Sequence, residues 1–303
     1  MRTPEHPEAA NTRGGGLAML TGRPGGPPVA PPPELTEGLD GLGAAVARWS
    51  ERVGRRVQPD WEELVTVRAA TLGLRRQGRT SPNGSCRLLR GAGGWVALNL
   101  ARPEDVAAVP AIVEGDVGAD PWRAIQTALV HRGTAEVVAR ARLLGVPAAP
   151  LGDPEESRGR GVPWSSEARW ASSSSGRDLG GLVVVDLSSM WAGPLASAIL
   201  AACGGRVRKV ESAARPDGAR RHPGFYRTLH AEDQEVVTLD LTAPGDLARL
   251  RTLVEEADIV VESSRRRALE QLGAGPDTVG GPAGKVWLSI TGYGRNPPGR
   301  DWV

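Results

Sequence analysis

Residues 179–211 read LGGLVVVDLSSMWAGPLASAILAACGGRVRKVE, and their pattern sets the fold class. The run Val183–Leu187 is short and almost continuously apolar, as expected of a strand covered on both faces. Ser188–Pro194 turns the chain, and LASAILAAC reads as a helix that begins just after Pro194. VRKVE then supplies a second strand. Downstream, EVVTLDL (235–241), DIVVE (258–262) and VWLSI (286–290) supply three more, with the helix LARLRTLVEEA between the first two of them. Strands alternating with helices imply a parallel sheet joined by right-handed crossovers.

Working back toward the N-terminus, residues 152–178 have the composition of a linker, with the flexible run Ser172–Ser175. Trp164 and Trp170 within it are expected to dock on a neighbouring surface, since burying an indole is strongly favourable. Residues 39–151 read as a smaller mixed α+β domain. Trp61, Leu64, Val65 and Arg68 fall at helical spacing behind Asp60 as N-cap. Residues 85–89 and 95–100 form two strands joined by a glycine-rich turn. Pro103 opens a helix to about Val109, Pro121 opens another, and Thr134 caps a third that Gly145 closes. Residues 1–38 are rich in Pro, Gly and small polar side chains. Such a segment buries too little apolar surface to offset its ordering entropy, and the expectation is a disordered tail. The whole chain thus reads as α/β, a Rossmann-like parallel sheet over 179–303 preceded by the small domain and the tail.

The chain's 303 residues suffice for two modest domains, and its net charge of +2 argues against a dedicated nucleic-acid binder. Cys86 and Cys203 offer neither a disulfide framework nor metal-ligand spacing, and Cys203 sits in an apolar helical run as a small core residue. His6, His131, His222 and His230 show no metal-site spacing, so no metal is expected. His222 and His230 fall in the loop before the third strand, where a surface role is expected. No run of 18 or more apolar residues and no signal-peptide core are visible, which points to a soluble cytoplasmic protein without membrane contact.

Ligands of open α/β sheets sit at the carboxyl ends of the strands. Ser188–Pro194 lies at such an end and leads into a helix, so its backbone N–H groups and the helix dipole suit a diphosphate or another anion. Neither G-x-G-x-x-G nor G-x-x-x-x-G-K-[ST] is present, which counts against a dinucleotide or a P-loop nucleotide.

The ensemble L-x-G-L-x-V-x-D-L-S-x-x-x-A-G-P, G-x-x-V-x-K-V-E, V-T-L-D-L-x-x-P-x-G, A-D-I-V-V-E and S-I-T-G-Y-G resembles the N-terminal half of the family III CoA-transferases, which include the 2-methylacyl-CoA racemases. The resemblance covers 179–303. It implies coenzyme A as the acyl-CoA substrate, a carboxylic acid as acceptor, a homodimer, and a covalent enzyme-carboxylate route. By position it places Met190, Trp191 and Ala192 at the CoA nucleotide, with Ser212, Ser263, Ser264 and Arg265 bordering it. Ser212 stands where the family often carries Arg, and Glu262–Arg267 replaces its E-N-F-R-P-G. The catalytic aspartate of the family is expected past Val303, a few residues beyond the position of Asp301, so no catalytic residue is assigned within the chain. GGWVALNL and TAEVVARARLLGVPAAP resemble the family's small-domain segment, placed here before the sheet. Two other readings stand beside CoA transfer: a racemase-like enzyme, and a non-catalytic CoA-binding or dimer-completing subunit.

Overall fold

The computed structural model describes residues 15–152, 166–171, 178–230, 234–292 and 294. It opens with a short helical turn, α1 (Gly15–Ala18), followed by α2 (Pro33–Val53) and α3 (Trp61–Thr71). Here the chain departs from composition: between residues 15 and 38, where a tail is expected, it already carries α1 and the start of α2. Pro33 occupies the first helical position, where a missing N–H costs nothing, and Glu34 favours the positive end of the dipole. Residues 1–14 of the expected tail lie outside the described part. Helix α3 starts where its sequence predicts, with the Asp60 carboxylate accepting from Glu63 N at 3.0 Å.

Strands β1 (Cys86–Gly91) and β2 (Gly94–Asn99) form the expected antiparallel hairpin, with Arg90 opposite Trp95. Helices α4 (Pro103–Ala107), α5 (Val109–Val113), α6 (Pro121–His131) and α7 (Thr134–Leu143) follow, and β3 (Ala148–Pro150) pairs antiparallel to β2. The helix expected from Pro103 to about Val109 ends at Ala107, and a further short helix, α5, follows with Pro110 in its first turn, where a missing N–H is tolerated. Thr134 is not a cap. Gly133, at φ 92°, takes the N-cap position, and the Thr134 hydroxyl instead accepts from Gly93 N in the hairpin turn at 3.3 Å. Val96, Leu98, Val109, Ile112, Ile125, Leu129, Val137 and Ala141 form a fully buried core between this sheet and its helices.

The second unit contains β4 (Val183–Asp186), α8 (Ala192–Ala202), β5 (Arg206–Ser212), a 3₁₀ turn (Gly218–Arg221), α9 (Pro223–Leu229), β6 (Glu235–Leu239), α10 (Pro244–Glu256), β7 (Ile259–Glu262), α11 (Arg266–Gln271) and β8 (Val286–Ser289). Its strands lie in the order β6-β5-β4-β7-β8, and every pairing is parallel. Neighbouring residues of β4 serve opposite faces: Val184 joins a core with Val207 and Val261, while Val185 joins one with Val210, Val237, Leu250, Val254 and Val260. Both faces are therefore covered, which explains the continuous apolar strands.

Helices α2 and α3, grouped by sequence with the small domain, dock here as well. Trp61, Leu64 and Val67 of α3 pack on Leu195, Phe225 and Leu229. Arg55 N donates to Cys203 O at 3.2 Å, and Leu179 N to Val53 O at 2.7 Å. Trp170 stacks on Trp287 with ring centroids 6.4 Å apart, as expected of an indole beside an apolar surface; Trp164 lies outside the described residues.

The chain starts this sheet in the middle at β4, runs outward to β6, then returns to β7 on the other side of β4. The switch in direction lies between β4 and β7, the place where open α/β sheets leave a crevice at their carboxyl ends.

Candidate functional site at the strand carboxyl ends

Beyond β4 the chain must turn within a few residues into α8. Gly193 makes the turn possible: a Cβ there would overlap the Ser188 side chain. Helix α8 begins at Ala192, two residues before Pro194, so the proline sits inside the first turn, where its lack of an N–H is tolerated.

The loop N–H groups do not face outward as the sequence suggests. Ser188 N donates to Asp186 Oδ1 at 2.8 Å, Ser189 N to Ser263 Oγ at 3.2 Å, Met190 N to Asp217 Oδ1 at 3.0 Å, and Trp191 N to Ser189 O at 3.1 Å. The expected open cradle of amides over 188–191 is therefore replaced by a loop satisfied from within. The physical reason is a pair of buried carboxylates, Asp186 and Asp217, that supply acceptors where solvent would otherwise be needed. The start of α8 is different: its N-cap residue, Trp191, makes no side-chain capping bond, which leaves the helix dipole as the anion-attracting feature of the turn.

Beneath the loop lies a polar network that the sequence reading missed. Lys209, opposite Asp186 in the β4–β5 register, is fully buried. Its Nζ donates to the Ser188 carbonyl and stands 3.1 Å from Asp217 Oδ2 and 3.7 Å from Asp186 Oδ2. Glu211, two residues along β5, receives Arg220 Nε at 2.8 Å, Tyr226 OH at 3.1 Å and Asp217 N at 3.0 Å. Burial alone would raise the Glu211 carboxyl. The Arg220, Asp217 and Tyr226 hydrogen bonds outweigh it and hold the group below the ordinary carboxylate range. His230 is buried too, contrary to the surface role expected of it. Its ring stacks on Tyr226 at 3.9 Å, its Nδ1 meets Tyr226 O at 2.9 Å, and its Nε2 has no partner among the described residues. Burial first, then the Lys209 charge, pulls the imidazole below the usual histidine value.

The residues assigned by resemblance distribute around this network. Met190 is half-exposed at the loop tip, and Ala192 is exposed at the helix start. Trp191 turns its indole down against the core formed by Leu195 and Phe225. Ser263 is joined to the loop through Ser189, across the switch between β4 and β7. Ser264 N folds back on Glu262 Oε2 at 2.7 Å. Ser212 ends β5, and its carbonyl accepts from Arg215 N at 3.1 Å. Arg265 reaches away from the loop to Gly145 O of the small unit at 3.2 Å, and the charges of Arg102, Arg215 and Arg267 act on its guanidinium. Burial first, then these charges, holds the Arg265 guanidinium below the ordinary arginine value, with Asp105, the ion-pair partner of Arg102 at 3.7 Å, opposing them. Two surface depressions, lined by residues 113–132 and by residues 93–150, contain none of these loop residues. No cluster of metal-ligating side chains occurs among the described residues.

A strand switch in a parallel sheet is common to many activities. Residues 179–303 match CoA-transferase family III. The match begins at Leu179, so the whole parallel sheet, the 188–194 turn and the buried network lie inside the matched segment.

Among similar proteins, a succinyl-CoA–D-citramalate CoA-transferase of Chloroflexus aurantiacus is 32% identical over 133 residues, which is 41% of this chain and 33% of that protein. A succinyl-CoA–L-malate CoA-transferase alpha subunit from Chloroflexus aurantiacus is 31% identical over 131 residues, covering 40% of this chain and 31% of the relative. A crystal structure of a CAIB/BAIF family protein from Brucella suis aligns at a TM-score of 0.37 and 26% identity, covering 41% of this chain and 35% of that one. The chain spans about a third of the length of the curated relatives it matches.

Proposed function

We propose that the family III segment binds an acyl-CoA at the carboxyl ends of β4, β5 and β7 and serves the transfer of CoA to a carboxylic acid. The observation that carries this reading is the coincidence of the family match with the strand switch, where Ser189 and Ser263 tie the β4 and β7 loops into one surface. The exposed turn at Met190 and Ala192 faces the nucleotide, and the uncapped start of α8 attracts its diphosphate. Ser212, Ser263, Ser264 and Arg265 border it, with Arg102 and Arg215 adding charge. In the proposed route a carboxylate attacks the acyl-CoA carbonyl and expels the CoA thiolate, forming a mixed anhydride. The thiolate then attacks the enzyme's own acyl carbon, which releases the donor acid and leaves an enzyme–CoA thioester. The acceptor acid collects CoA by the same two steps in reverse. We further propose a homodimer as the working form.

A second reading is favoured by one observation. By resemblance, serines replace the family's Arg at 212, its Asn at 263 and its Phe at 264, and Ser263 is already engaged by the loop. These changes suit a CoA-binding subunit that assists another chain, and one relative carries the name of an alpha subunit.

Calorimetric titration with CoA, followed by incubation with succinyl-CoA and a panel of carboxylic acids, separates the readings. New CoA thioesters detected by mass spectrometry support transfer, and binding without turnover by the longest natural form of the chain supports the subunit. Solvent deuterium entering the acyl-CoA without added acid would favour racemase-like proton exchange. Ala192→Trp should weaken CoA binding at least about tenfold by filling the turn, since a factor of ten corresponds to only about 1.4 kcal/mol. No heat of CoA binding to the unaltered protein, or equal binding by the variant, would remove this loop from the site.

A further inference from the structure

Met190 is one of two non-glycine residues among those described with a left-handed backbone, at φ 74°. It is 38% exposed, so core packing does not impose this conformation. Its neighbours do. Asp217, 4% exposed, accepts Met190 N at 3.0 Å and Ala219 N at 2.9 Å through one carboxylate oxygen. The other oxygen lies 3.1 Å from Lys209 Nζ, and the Asp217 N–H donates to Glu211 at 3.0 Å. The side chain of Met190 lies flush on the next residue: a Cβ on Gly218 would stand 2.8 Å from Met190 Sδ.

From this arrangement we infer that Asp217 is a positioning residue, holding Met190 in its left-handed turn and so fixing the shape of the loop that meets CoA. The left-handed penalty of an ordinary residue and the gain from a charge-assisted hydrogen bond are of the same size. One bond from a buried carboxylate is therefore enough to decide the conformation, and its loss enough to release it. Strain of this kind persists where the surroundings over-determine it. Lys209 and Glu211 supply that surrounding by fixing the carboxylate from two sides.

The inference rests on the CoA reading for its ligand, and the test keeps the two apart. Hydrogen exchange at the amides of 189–191, urea unfolding and CoA titration are measured for the unaltered chain and for Asp217→Asn, each also in a Met190→Gly background. Glycine adopts the left-handed turn without penalty. We expect Asp217→Asn to speed loop exchange and weaken CoA binding by about tenfold, the effect of about 1.4 kcal/mol. In the Met190→Gly background the same substitution should lose most of that effect. Equal losses of global stability in both backgrounds, with loop exchange unchanged, would make Asp217 a purely structural residue and overturn the inference. Absence of CoA binding by the unaltered chain defeats the functional reading alone, because loop exchange still decides whether Asp217 positions Met190. Should Asp217→Asn fail to fold, Asp217→Glu keeps a negative charge beside Lys209 while displacing the acceptor of Met190 N. It should speed loop exchange beside Met190 and much less beside Met190→Gly, and equal exchange in the two backgrounds would overturn the assignment.

Discussion

A methyl group at Gly193 has nowhere to go, since it would overlap both Ser188 Oγ and Ser188 Cβ. Ser188 cannot retreat, because Asp186 accepts both its N–H and its hydroxyl. Gly193→Ala is therefore expected to destabilise the fold by about 1–3 kcal/mol, the usual range for overpacking a tight site, and chemical denaturation measures it. His230 makes a second prediction. Its imidazole is held below the ordinary value of about 6.5. Just below that pH the unfolded chain therefore binds a proton that the folded chain refuses. Stability should rise with pH up to about 6.5 and be lost progressively as pH falls below it. His230→Gln should flatten that slope in urea titrations across the pH range, and an unchanged slope would show that His230 does not cause it. Neither role was legible in the sequence. A histidine before a strand carries no sign that Tyr226 will stack on it, and Asp217 and Gly218 look like any turn pair until Met190 is placed above them.

Strand β5 shows where local pattern stops informing. Arg206-Val207-Arg208-Lys209-Val210-Glu211 suggests charged residues facing water or an anion, yet Lys209 is completely buried. What makes its burial tolerable is Asp186 and Asp217, 23 residues before it and 8 after it by sequence number, which meet only once β4 and β5 pair in register. Lys209→Met should cost about 3–5 kcal/mol, because it leaves buried carboxylates without their cation; a loss under about 1 kcal/mol in denaturant unfolding would show that the ammonium is not the hub of the network. The elements themselves were far more legible. The βαβ alternation, the hairpin and the Asp60 cap follow from short-range rules and all appear. The exceptions have local causes that pattern alone underweights. Pro110 lies in the first turn of a short extra helix, Gly133 displaces Thr134 as a cap, and Pro33 starts a helix inside a segment whose composition suggests disorder.

At the scale of the whole molecule, the contact least visible in the sequence is the docking of α2 and α3 on the parallel-sheet unit, more than 100 residues further along the chain. Phe225 is its centre: it is 1% exposed, shares a core with Trp61, Leu64 and Val67, and carries the Arg68 guanidinium 5.9 Å from its ring centroid. The same short helix, α9, presents Tyr226 to Glu211 and ends beside His230. The N-terminal helices thus buttress the network that holds the 188–191 loop, and Trp61 of α3 shares its core with Trp191 of that turn. Removing the ring should weaken both at once. Phe225→Ala is expected to cost about 3–5 kcal/mol, as for other large-to-small core changes. Its consequence for the loop distinguishes buttressing from simple packing: hydrogen exchange at Tyr226 and at residues 189–191 should accelerate together, and more than exchange in β2, which belongs to the separate small-unit core. If the loop amides kept their protection while the helix joint loosened, the N-terminal helices would be a passive cover, and the shape of the turn at Met190 would depend on Asp217 and Lys209 alone.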